Sequence, residues 1–426
     1  MSINQISTKV CIIGASQAGL LTANILQNNG ISCIVVEKIS RSAIYARSRV
    51  GLLDSKTVDL LQDCGLSDRF FLEAIPQNKC EFRTPEQNFA IDYAKMCRGQ
   101  VRYTYPQQKL LADSIERFEQ TEGKILFDTE ASAIVNDNRG AKVQCQQNGK
   151  IITIECDFIA GCDGFGGISR SYIPQTTPPH HQNFKYTWLA IDLEETSPTN
   201  SVVYALHSRG FAGYLPYDKN ISRYYLQVAD RDTVADWSNA RIHAELQVRL
   251  AEDDAKPIEG EIIAKQIIKL EHFIPSKIQH LRLFLAGNSA HVTTPIAAKE
   301  MNLAIQDADV LGKSFVSYYH YQDNLPLKNY SKNRLLEVKK IQQFSESLLH
   351  MINLQDNRDL AGKSQQRVQQ FKRSQLANSE LYAFDFARKY VGYMERNRTS
   401  DRLSALNEAA NVLKFDPNEL PPLKVG

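Results

Sequence analysis

Residues 9–37 read KVCIIGASQAGLLTANILQNNGISCIVVE, and this stretch combines three patterns in succession. An apolar run over residues 8–13 predicts a buried strand, which a glycine-rich turn follows. Residues 20–28 are typical of a helix, and residues 31–37 form a second apolar run that predicts another buried strand. A strand, a helix and a strand within about 30 residues predict a βαβ unit, and therefore a parallel sheet with a right-handed crossover.

The turn of this unit, GASQAG, has the spacing of a dinucleotide-binding fingerprint. Gly14 would make the tight turn, Gly19 would let helix and strand approach closely, and Ala18 lies beside it. The helix N-terminus would present free N–H groups to a pyrophosphate. Ser16 stands where the second glycine is usual, and its hydroxyl takes space but is also a donor for a phosphate. Glu37 can bind an adenosine ribose and would repel a 2′-phosphate, so the turn favours FAD or NAD over NADP; an ordinary βα turn is the alternative.

Composition limits the other classes of protein. The 426 residues allow two or three domains, and 43% hydrophobic with 23% charged residues is typical of a globular chain. The net charge is only +2, and the basic residues show no clustered excess. No nucleic-acid partner is therefore expected. No apolar run approaches the ~18 residues of a membrane span, and the N-terminus lacks the pattern of a signal peptide. The expected location is the cytoplasm.

Cysteine and histidine are distributed unevenly along the chain. All eight cysteines lie within the first 162 residues, and all nine histidines follow residue 179. No CxxC pair is present and no cysteine lies near a histidine, so no metal site is predicted. In a reducing compartment these cysteines are expected to be small core residues.

The rest of the chain shows strand and helix patterns in a recognisable order. Residues 54–64 and 107–120 are typical of amphipathic helices, and residues 125–158 alternate as antiparallel strands do. Residues 183–230 are again strand-like, and the chain from about residue 328 is charged and helical without a strand pattern.

Two further segments of the sequence contain recognisable motifs besides the first turn. Residues 157–170 read DFIAGCDGFGGISR, and residues 283–302 read LFLAGNSAHVTTPIAAKEMN. Together with the glycine-rich turn, they resemble the three signatures of the single-component FAD-dependent aromatic hydroxylases, in particular the para-hydroxybenzoate hydroxylase-like group. The likeness extends over most of the chain, as far as Gly392.

The resemblance implies an α/β fold: a Rossmann-like FAD-binding βαβ domain with an inserted β-rich substrate domain and a C-terminal helical region. The corresponding domain boundaries place the FAD-binding domain at residues 1–178 and 271–327. They place the substrate domain at residues 179–270 and the helical region at 328–426. A homodimer is also implied.

The resemblance further assigns a set of cofactor-binding residues: Arg49, Gln107, Asp163, Gly287, Asn288, Ala298, Met301 and Asn302. In the family, Asp163 belongs to a segment near both FAD and the nicotinamide nucleotide, and Arg49 approaches the pyrophosphate or the entering nucleotide. The alternatives are a turn-forming aspartate and a solvated surface arginine.

Four positions depart from the family pattern: Ser16, Asn288, Ala297 and Glu300. Asn288 stands where an aspartate binds the FAD ribityl chain, and it can still form hydrogen bonds without a charge. Ala297 and Glu300 stand where glycines let the backbone approach the flavin. A carboxylate beside the flavin would oppose an anionic reduced flavin, whereas an exposed Glu300 would be harmless.

The substrate pocket is assigned by the same resemblance to Tyr204, Tyr225, Tyr390 and Pro295. Tyr204 and Tyr390 match a hydrogen-bonded pair that draws the proton from a substrate phenol, although each could instead be a core aromatic residue.

Three residues of the substrate region depart from the family. Leu215 and Tyr217 replace the serine and arginine that bind a carboxylate, so a larger or neutral phenolic or heteroaromatic substrate is expected instead of 4-hydroxybenzoate. Gln77 stands about where the family has a proton-relay histidine, so proton release must use another group or water.

The sequence therefore predicts a monooxygenase that uses FAD, NADPH or NADH, and O2 on a small aromatic substrate. Ring rearrangement or halogenation is a variant outcome on the same fold. The alternative from another class is a non-catalytic or flavin-poor paralogue that binds an aromatic ligand or a partner.

Overall fold

The chain was analysed as a computed structural model, which describes residues 4–47, 49–250, 257–354 and 360–392. The predicted C-terminal helical region is described as far as residue 392, and residues 393–426 lie outside the described residues.

The strands of the described residues are, in chain order, β1 (Asn4–Ile13), β2 (Cys33–Val36), β3 (Leu52–Asp54), β4 (Ile75–Gln77), β5 (Lys79–Arg83), β6 (Asn88–Asp92), β7 (Arg102–Thr104), β8 (Lys124–Leu126), β9 (Glu130–Asn136), β10 (Ala141–Gln147), β11 (Lys150–Gly161), β12 (His180–Glu194), β13 (Val202–His207), β14 (Gly210–Pro216), β15 (Ile221–Val228), β16 (Glu261–Ile274), β17 (Gln279–His280) and β18 (Leu283–Leu285).

The α-helices are α1 (Gln17–Asn28), α2 (Arg41–Tyr45), α3 (Ser55–Asp63), α4 (Asp68–Glu73), α5 (Tyr93–Met96), α6 (Gln107–Gln120), α7 (Asn239–Arg249), α8 (Glu300–Tyr321), α9 (Leu325–Ile352), α10 (Leu360–Asn378) and α11 (Glu380–Tyr390). Short 3₁₀ turns occur at Ser169–Tyr172, Val234–Asp236, Gly287–Ser289 and Pro295–Ala297.

The first sheet contains the predicted βαβ unit, in the strand order β17-β18-β11-β1-β2-β8. Strand β1 pairs in parallel with β2 on one side and with β11 on the other, so the crossover through α1 is confirmed. Strands β9 and β10 extend β11 as an antiparallel meander. Apolar side chains of β1, β2 and α1 are buried because both faces of this sheet are covered.

The second sheet has the order β16-β12-β15-β14-β13-β5-β6. Its pairings are antiparallel except for β13 with β5, which is parallel. Strands β5 and β6 precede residue 178, so the chain contributes to this sheet long before the main run of its strands. Strands β12 to β15 confirm the strand pattern predicted for residues 183–230.

Helices of the C-terminal region close over the second sheet. Apolar residues of α9 and α11, including Leu348 and Phe386, are buried with Phe82 and Tyr204 in one cluster. Strands β3, β7 and β4 form a small third sheet beside this cluster. The α/β fold with a C-terminal helical region is thus confirmed. In the described part of the chain, no helix is both long and apolar enough to cross a membrane.

The tight contact at the start of α1 provides a test of the fold. A Cβ atom on Gly19 would lie 2.0 Å from the carbonyl oxygen of Gly14, so Gly19→Ala requires the backbone to shift. We expect it to lower the free energy of unfolding by about 2–3 kcal/mol, measured by urea denaturation. Gly140→Ala is the control, because its added Cβ has its nearest neighbour at 3.8 Å. Equal stability of the two variants would contradict this reading of the turn.

Candidate active site

The glycine-rich turn is held against the strand β11 side of the sheet. Gly14 has a φ of +103°, and a Cβ there would lie 2.5 Å from the carbonyl oxygen of Cys162. Gly287, whose φ is +67°, packs so closely on Ala18 that an added Cβ would lie 3.3 Å from the Ala18 methyl group. The structure therefore brings Gly14, Ala18 and Gly287 together, and two of them need glycine for conformation as well as space.

Ser16 is the N-cap of α1, and its hydroxyl is used within the fold. Its Oγ accepts a hydrogen bond from the Gly19 N–H at 3.3 Å and donates one to the Cys162 carbonyl at 3.0 Å. The single hydroxyl proton thus points to Cys162, which explains how serine is accommodated at the second glycine position.

Glu37 directly follows β2, and its side chain reaches the glycine-rich turn. Its carboxylate accepts hydrogen bonds from the Ala15 N–H at 2.8 Å and from the Ile39 N–H at 3.1 Å. Two backbone donors hold the carboxylate beside the N-terminus of α1, which is the position that a ribose-binding acid requires.

Asp163 follows the end of β11, and only one of its two carboxylate oxygens has a hydrogen-bond partner among the described residues. Its Oδ2 accepts from the Ser169 N–H and hydroxyl, both at 2.9 Å, whereas Oδ1 is buried and has no partner among the described residues. Burial raises the pKa of this carboxyl, and the bonds from Ser169 oppose the rise. An orphaned buried acceptor fits a ligand rich in hydroxyl or amide donors.

Asn288 and Arg49 both have exposed side chains. Asn288 lies on the 3₁₀ turn that Asp307 anchors through a hydrogen bond from the Gly287 N–H at 2.9 Å. The backbone N–H of Arg49 is held by the Gln108 side chain at 3.4 Å. These hydrogen bonds hold the backbone at both places and leave the two side chains exposed.

Gln107 and Met301 shape the adjacent loop. The Gln107 amide donates to the Val50 carbonyl at 2.9 Å. Met301 packs so closely over Gly51 that a Cβ on Gly51 would lie 2.3 Å from its terminal methyl group. Together with the free Oδ1 of Asp163 and the N-terminus of α1, this arrangement fits an extended dinucleotide such as FAD.

The loop that leads into α8 is strained and held by hydrogen bonds. Ala298 has a φ of +48°, a left-handed conformation that is costly for alanine. Its carbonyl accepts from Arg102 and from Asn302, each at 3.0 Å. Asn302 also receives the Asp54 N–H on its Oδ1 at 2.8 Å, so its role here is to hold the loop to strand β3.

Glu300 begins α8 and is half-buried, not fully exposed. Burial raises its pKa to about 7, and the positive charge of Arg49 opposes that rise. The carboxylate also raises the pKa of Tyr225, after the larger effect of burial. The charge of Glu300 is therefore coupled to those of Arg49 and Tyr225.

Tyr204 and Tyr390 meet in the core although 186 positions separate them. Their hydroxyl oxygens are 3.0 Å apart, and the Tyr204 hydroxyl also lies 3.0 Å from the Ile296 carbonyl oxygen. Burial raises the pKa of both phenols. Phe82 stacks on Tyr204 and Phe386 stacks on Tyr390, so the pair is shielded from water.

The residues expected around a substrate lie on β14, β15 and the Pro295–Ala297 turn. Leu215 is buried in the apolar cluster that contains Tyr204, and Tyr225 packs against that cluster. Pro295 opens the turn whose Ile296 carbonyl meets Tyr204. The tyrosine pair thus has an apolar wall beside it.

Tyr217 is buried and hydrogen-bonded to the Gln108 side chain at 3.0 Å. The nearby Arg223 guanidinium, 5.7 Å from the Tyr217 ring, is bound by both oxygens of Asp192 at 2.6 Å. A carboxylate-bearing substrate would have to compete with Asp192 for Arg223.

Gln77 is buried, and it lies opposite Arg102 across β4 and β7. Its amide donates to the Thr104 hydroxyl, and its Oε1 has no partner among the described residues. An amide does not titrate, so Gln77 cannot take a proton as a histidine would.

A cluster of buried charges was missed by the sequence reasoning. Asp54 accepts from Arg102 at 2.9 Å and from Lys299 at 2.7 Å, and all three side chains are buried. Lys299 also donates to the Tyr390 carbonyl at 2.6 Å. Burial lowers the pKa of Lys299 to about 8, and Asp54 opposes the fall. Lys299 lay within the quoted motif, but nothing local marked Asp54 or Arg102 as its partners.

Comparisons with known proteins agree with this geometry. A family model described as FAD binding domain matches residues 7–345. The chain is 30% identical over 398 residues to p-hydroxybenzoate hydroxylase of Acinetobacter baylyi, with 93% of this chain and 98% of the relative covered. It is 27% identical to 3-(3-hydroxy-phenyl)propionate/3-hydroxycinnamic acid hydroxylase 1 of Burkholderia vietnamiensis, covering 72% of this chain but only 50% of that enzyme.

Solved structures show the same fold. The crystal structure of p-nitrophenol 4-monooxygenase from Pseudomonas putida superposes with a TM-score of 0.78 at 16% identity, covering 92% of this chain and all of that one. Aklavinone-11 hydroxylase in complex with FAD and aklavinone superposes with a TM-score of 0.71 at 17% identity, covering 82% of this chain and 70% of that one.

The buried carboxyl of Glu300 predicts a pH-dependent stability. Its pKa is about 7 in the folded chain and 4.5 ordinarily, so the folded state holds a proton that the unfolded state releases between these values. Stability is therefore lost as the pH rises through this window. We expect Glu300→Gln to raise the free energy of unfolding by about 1–2 kcal/mol at about pH 8 and to leave it unchanged below pH 4.5.

Urea denaturation at several pH values measures this difference. Glu116→Gln is the matched control, since Glu116 is exposed. A pH-independent effect of Glu300→Gln would show that its carboxylate is fully solvated.

Proposed function

The chain belongs to the family of FAD-dependent aromatic hydroxylases, and from this premise we propose that it hydroxylates a phenolic or heteroaromatic substrate other than 4-hydroxybenzoate. NADPH or NADH and O2 are its co-substrates. The observation that carries the proposal is the buried Tyr204–Tyr390 hydrogen bond of 3.0 Å, beside an apolar wall.

The cofactor would be held by residues from three segments. The N-terminus of α1 would bind the pyrophosphate, Glu37 would bind the adenosine ribose, and Asp163 with Asn288 would bind the hydroxyl-rich middle of FAD. When bound, FAD supplies electron transfer from the nicotinamide nucleotide and activation of O2. Ala298, with its left-handed backbone, and the closely packed Met301 would form part of the surface that holds its ring.

The tyrosine pair would act on the substrate hydroxyl. A phenol bound beside Tyr204 can donate its proton toward the Tyr204 oxygen, which is already linked to Tyr390. Loss of that proton makes the aromatic ring electron-rich and therefore more reactive toward an electrophilic oxygen. The phenyl groups of Phe82 and Phe386 exclude water and so strengthen these hydrogen bonds.

The substrate class follows from the polar groups near the pocket. Leu215 offers no hydrogen bond, Tyr217 is engaged with Gln108, and Arg223 is engaged with Asp192. A benzoate carboxylate would therefore be desolvated without a free cation, at a cost of several kcal/mol. A neutral phenol, or a larger one whose polar groups lie outside the pocket, is better matched.

Two further aspects belong to the same proposal. A cytoplasmic location is supported by the eight cysteines, all buried and free, which a reducing compartment preserves. A homodimer is supported by apolar side chains on α10 and α11 that remain exposed, Phe371 at 60% and Leu381 at 75%. Sedimentation of the purified chain tests the dimer.

Flavin content is the first test of the function. The purified chain is expected to be yellow and to release FAD on heating, and phenols are expected to perturb the flavin absorbance and stimulate NAD(P)H oxidation. Tyr204→Phe should keep the FAD but lower the rate of hydroxylation by about 10²-fold or more, because proton transfer contributes that much. A colourless chain that does not take up FAD would support the non-catalytic paralogue instead.

Leu215 and Tyr217, which stand where the family binds a substrate carboxylate, provide a second test. Leu215→Ser combined with Tyr217→Arg should tighten 4-hydroxybenzoate binding at least about tenfold, because a bidentate arginine becomes available. Dissociation constants from flavin absorbance titrations measure the change, and neutral phenols of similar size are the control ligands. A wild-type chain that already prefers 4-hydroxybenzoate would refute the proposed substrate class.

A further inference from the structure

Ionisation of a phenol in this site creates a negative charge in a buried environment. Tyr204, its partner Tyr390 and the apolar rings around them carry no charge that would stabilise it. Gln77 lies where the family pattern suggested a histidine, and it does not titrate. The pocket therefore needs another source of positive charge.

The groups that face Tyr390 come from every element packed around it. The titratable and charged ones are Tyr204 of β13, Cys80 of β5, Tyr93 of α5, Arg102 of β7, Asp54 of β3 and Lys299 before α8. Two of these six are cations, and one is an anion. The cluster of Asp54, Arg102 and Lys299 thus carries one net positive charge beside the tyrosine pair.

Arg102 is the cation that faces the aromatic ring of Tyr390. Its guanidinium carbon lies 4.6 Å from the centre of the Tyr390 ring. Its Nε donates to Asp54, and its Nη2 donates to the carbonyls of Ala297 and Ala298 at 3.1 and 3.0 Å. Its Nη1 is buried without a hydrogen-bond partner among the described residues. A buried donor without a partner marks where a charge or dipole can be accommodated.

Lys299 is placed differently. Its ammonium group bonds Asp54 and the backbone carbonyl of Tyr390, not the phenol end of that side chain. Burial raises the pKa of Tyr204 and of Tyr390, and the charge of Arg102 opposes the rise in both. Arg102 is therefore the member of the cluster that acts on the hydroxyl pair.

We propose that Arg102 is a positioning residue for phenol ionisation: its fixed, buried charge stabilises negative charge along the line of hydroxyls from Tyr390 through Tyr204 to the substrate. A permanent cation here takes the place of a titrating histidine. The phenol O–H bond breaks, its proton is released to water, the phenolate oxygen is hydrogen-bonded by the Tyr204 hydroxyl, and no redox change is involved. This inference rests on the proposed function, since it requires a phenol beside Tyr204.

The ionisation of a bound phenol tests it directly. Nitrophenols absorb visible light strongly only when ionised, so a pH titration of 4-nitrophenol and its ring-substituted analogues on the FAD-loaded chain reports the pKa of the bound phenol. Arg102→Met is expected to raise that pKa by about half a unit to one unit, because the buried positive charge over the Tyr390 ring is removed. Arg102→Lys, which retains the charge, should restore part of the difference.

A variant that is expected to shift the pKa of the bound phenol in the opposite direction distinguishes an effect of charge from an effect on the fold. Asp54→Asn removes the anion that offsets Arg102, so it should lower the pKa of the bound phenol. A merely structural role for the cluster would not move the two variants in opposite directions. Asp54→Asn and Arg102→Lys also carry the test if Arg102→Met fails to fold.

Arg249→Met is the matched control. Arg249 is likewise buried and bonded to a carboxylate, Glu245, at 2.8 Å, but it belongs to α7. It should leave the pKa of the bound phenol unchanged. An unchanged pKa in Arg102→Met, or equal shifts in Arg102→Met and Arg249→Met, would overturn the inference. Failure of every phenol to bind the wild-type chain would instead overturn the proposed function.

Discussion

Asp54 binds two buried cations, and this interaction joins the parts of the molecule that form the pocket. Arg102 lies on a neighbouring strand, whereas Lys299 comes from the loop that leads into α8. Through Lys299 the network reaches the backbone of Tyr390 at the end of α11. Buried ions are costly unless their partners are complete. The loss of one member would therefore disturb the third sheet, the α8 loop and the C-terminal helices together.

The cofactor side of the molecule accommodates its unusual residues by local means. Ser16 uses its hydroxyl proton on Cys162, so a side chain that takes space at the turn also closes the gap between α1 and β11. Ala298 adopts a left-handed backbone, and Arg102 and Asn302 hold its carbonyl in place. Glu300 is the exception, because no side chain in its surroundings forms a close ion pair with it in the described residues. Burial therefore raises its pKa, and only the charge of Arg49 opposes the rise.

The substrate side combines an apolar wall with a small number of hydroxyl groups. Its polar side chains are mostly engaged with one another, as Tyr217 is with Gln108 and Arg223 is with Asp192. Such a site discriminates by shape and by the phenol hydroxyl rather than by a second charge. In the proposed reaction, the tyrosine pair and the fixed charge of Arg102 would both act on the substrate's phenol oxygen.

Local patterns in the sequence determined the βαβ unit, the dinucleotide turn, and helices such as α3 and α6. These features depend on neighbours within one turn of helix or one strand, so their periodicity and glycine spacing are visible without the fold. Only the tertiary structure decided that Tyr204 meets Tyr390, that Asp54 binds Arg102 and Lys299, and that Glu300 is half-buried. These contacts join distant segments, and a side chain's burial and its partners depend on what packs against it, which no local pattern records.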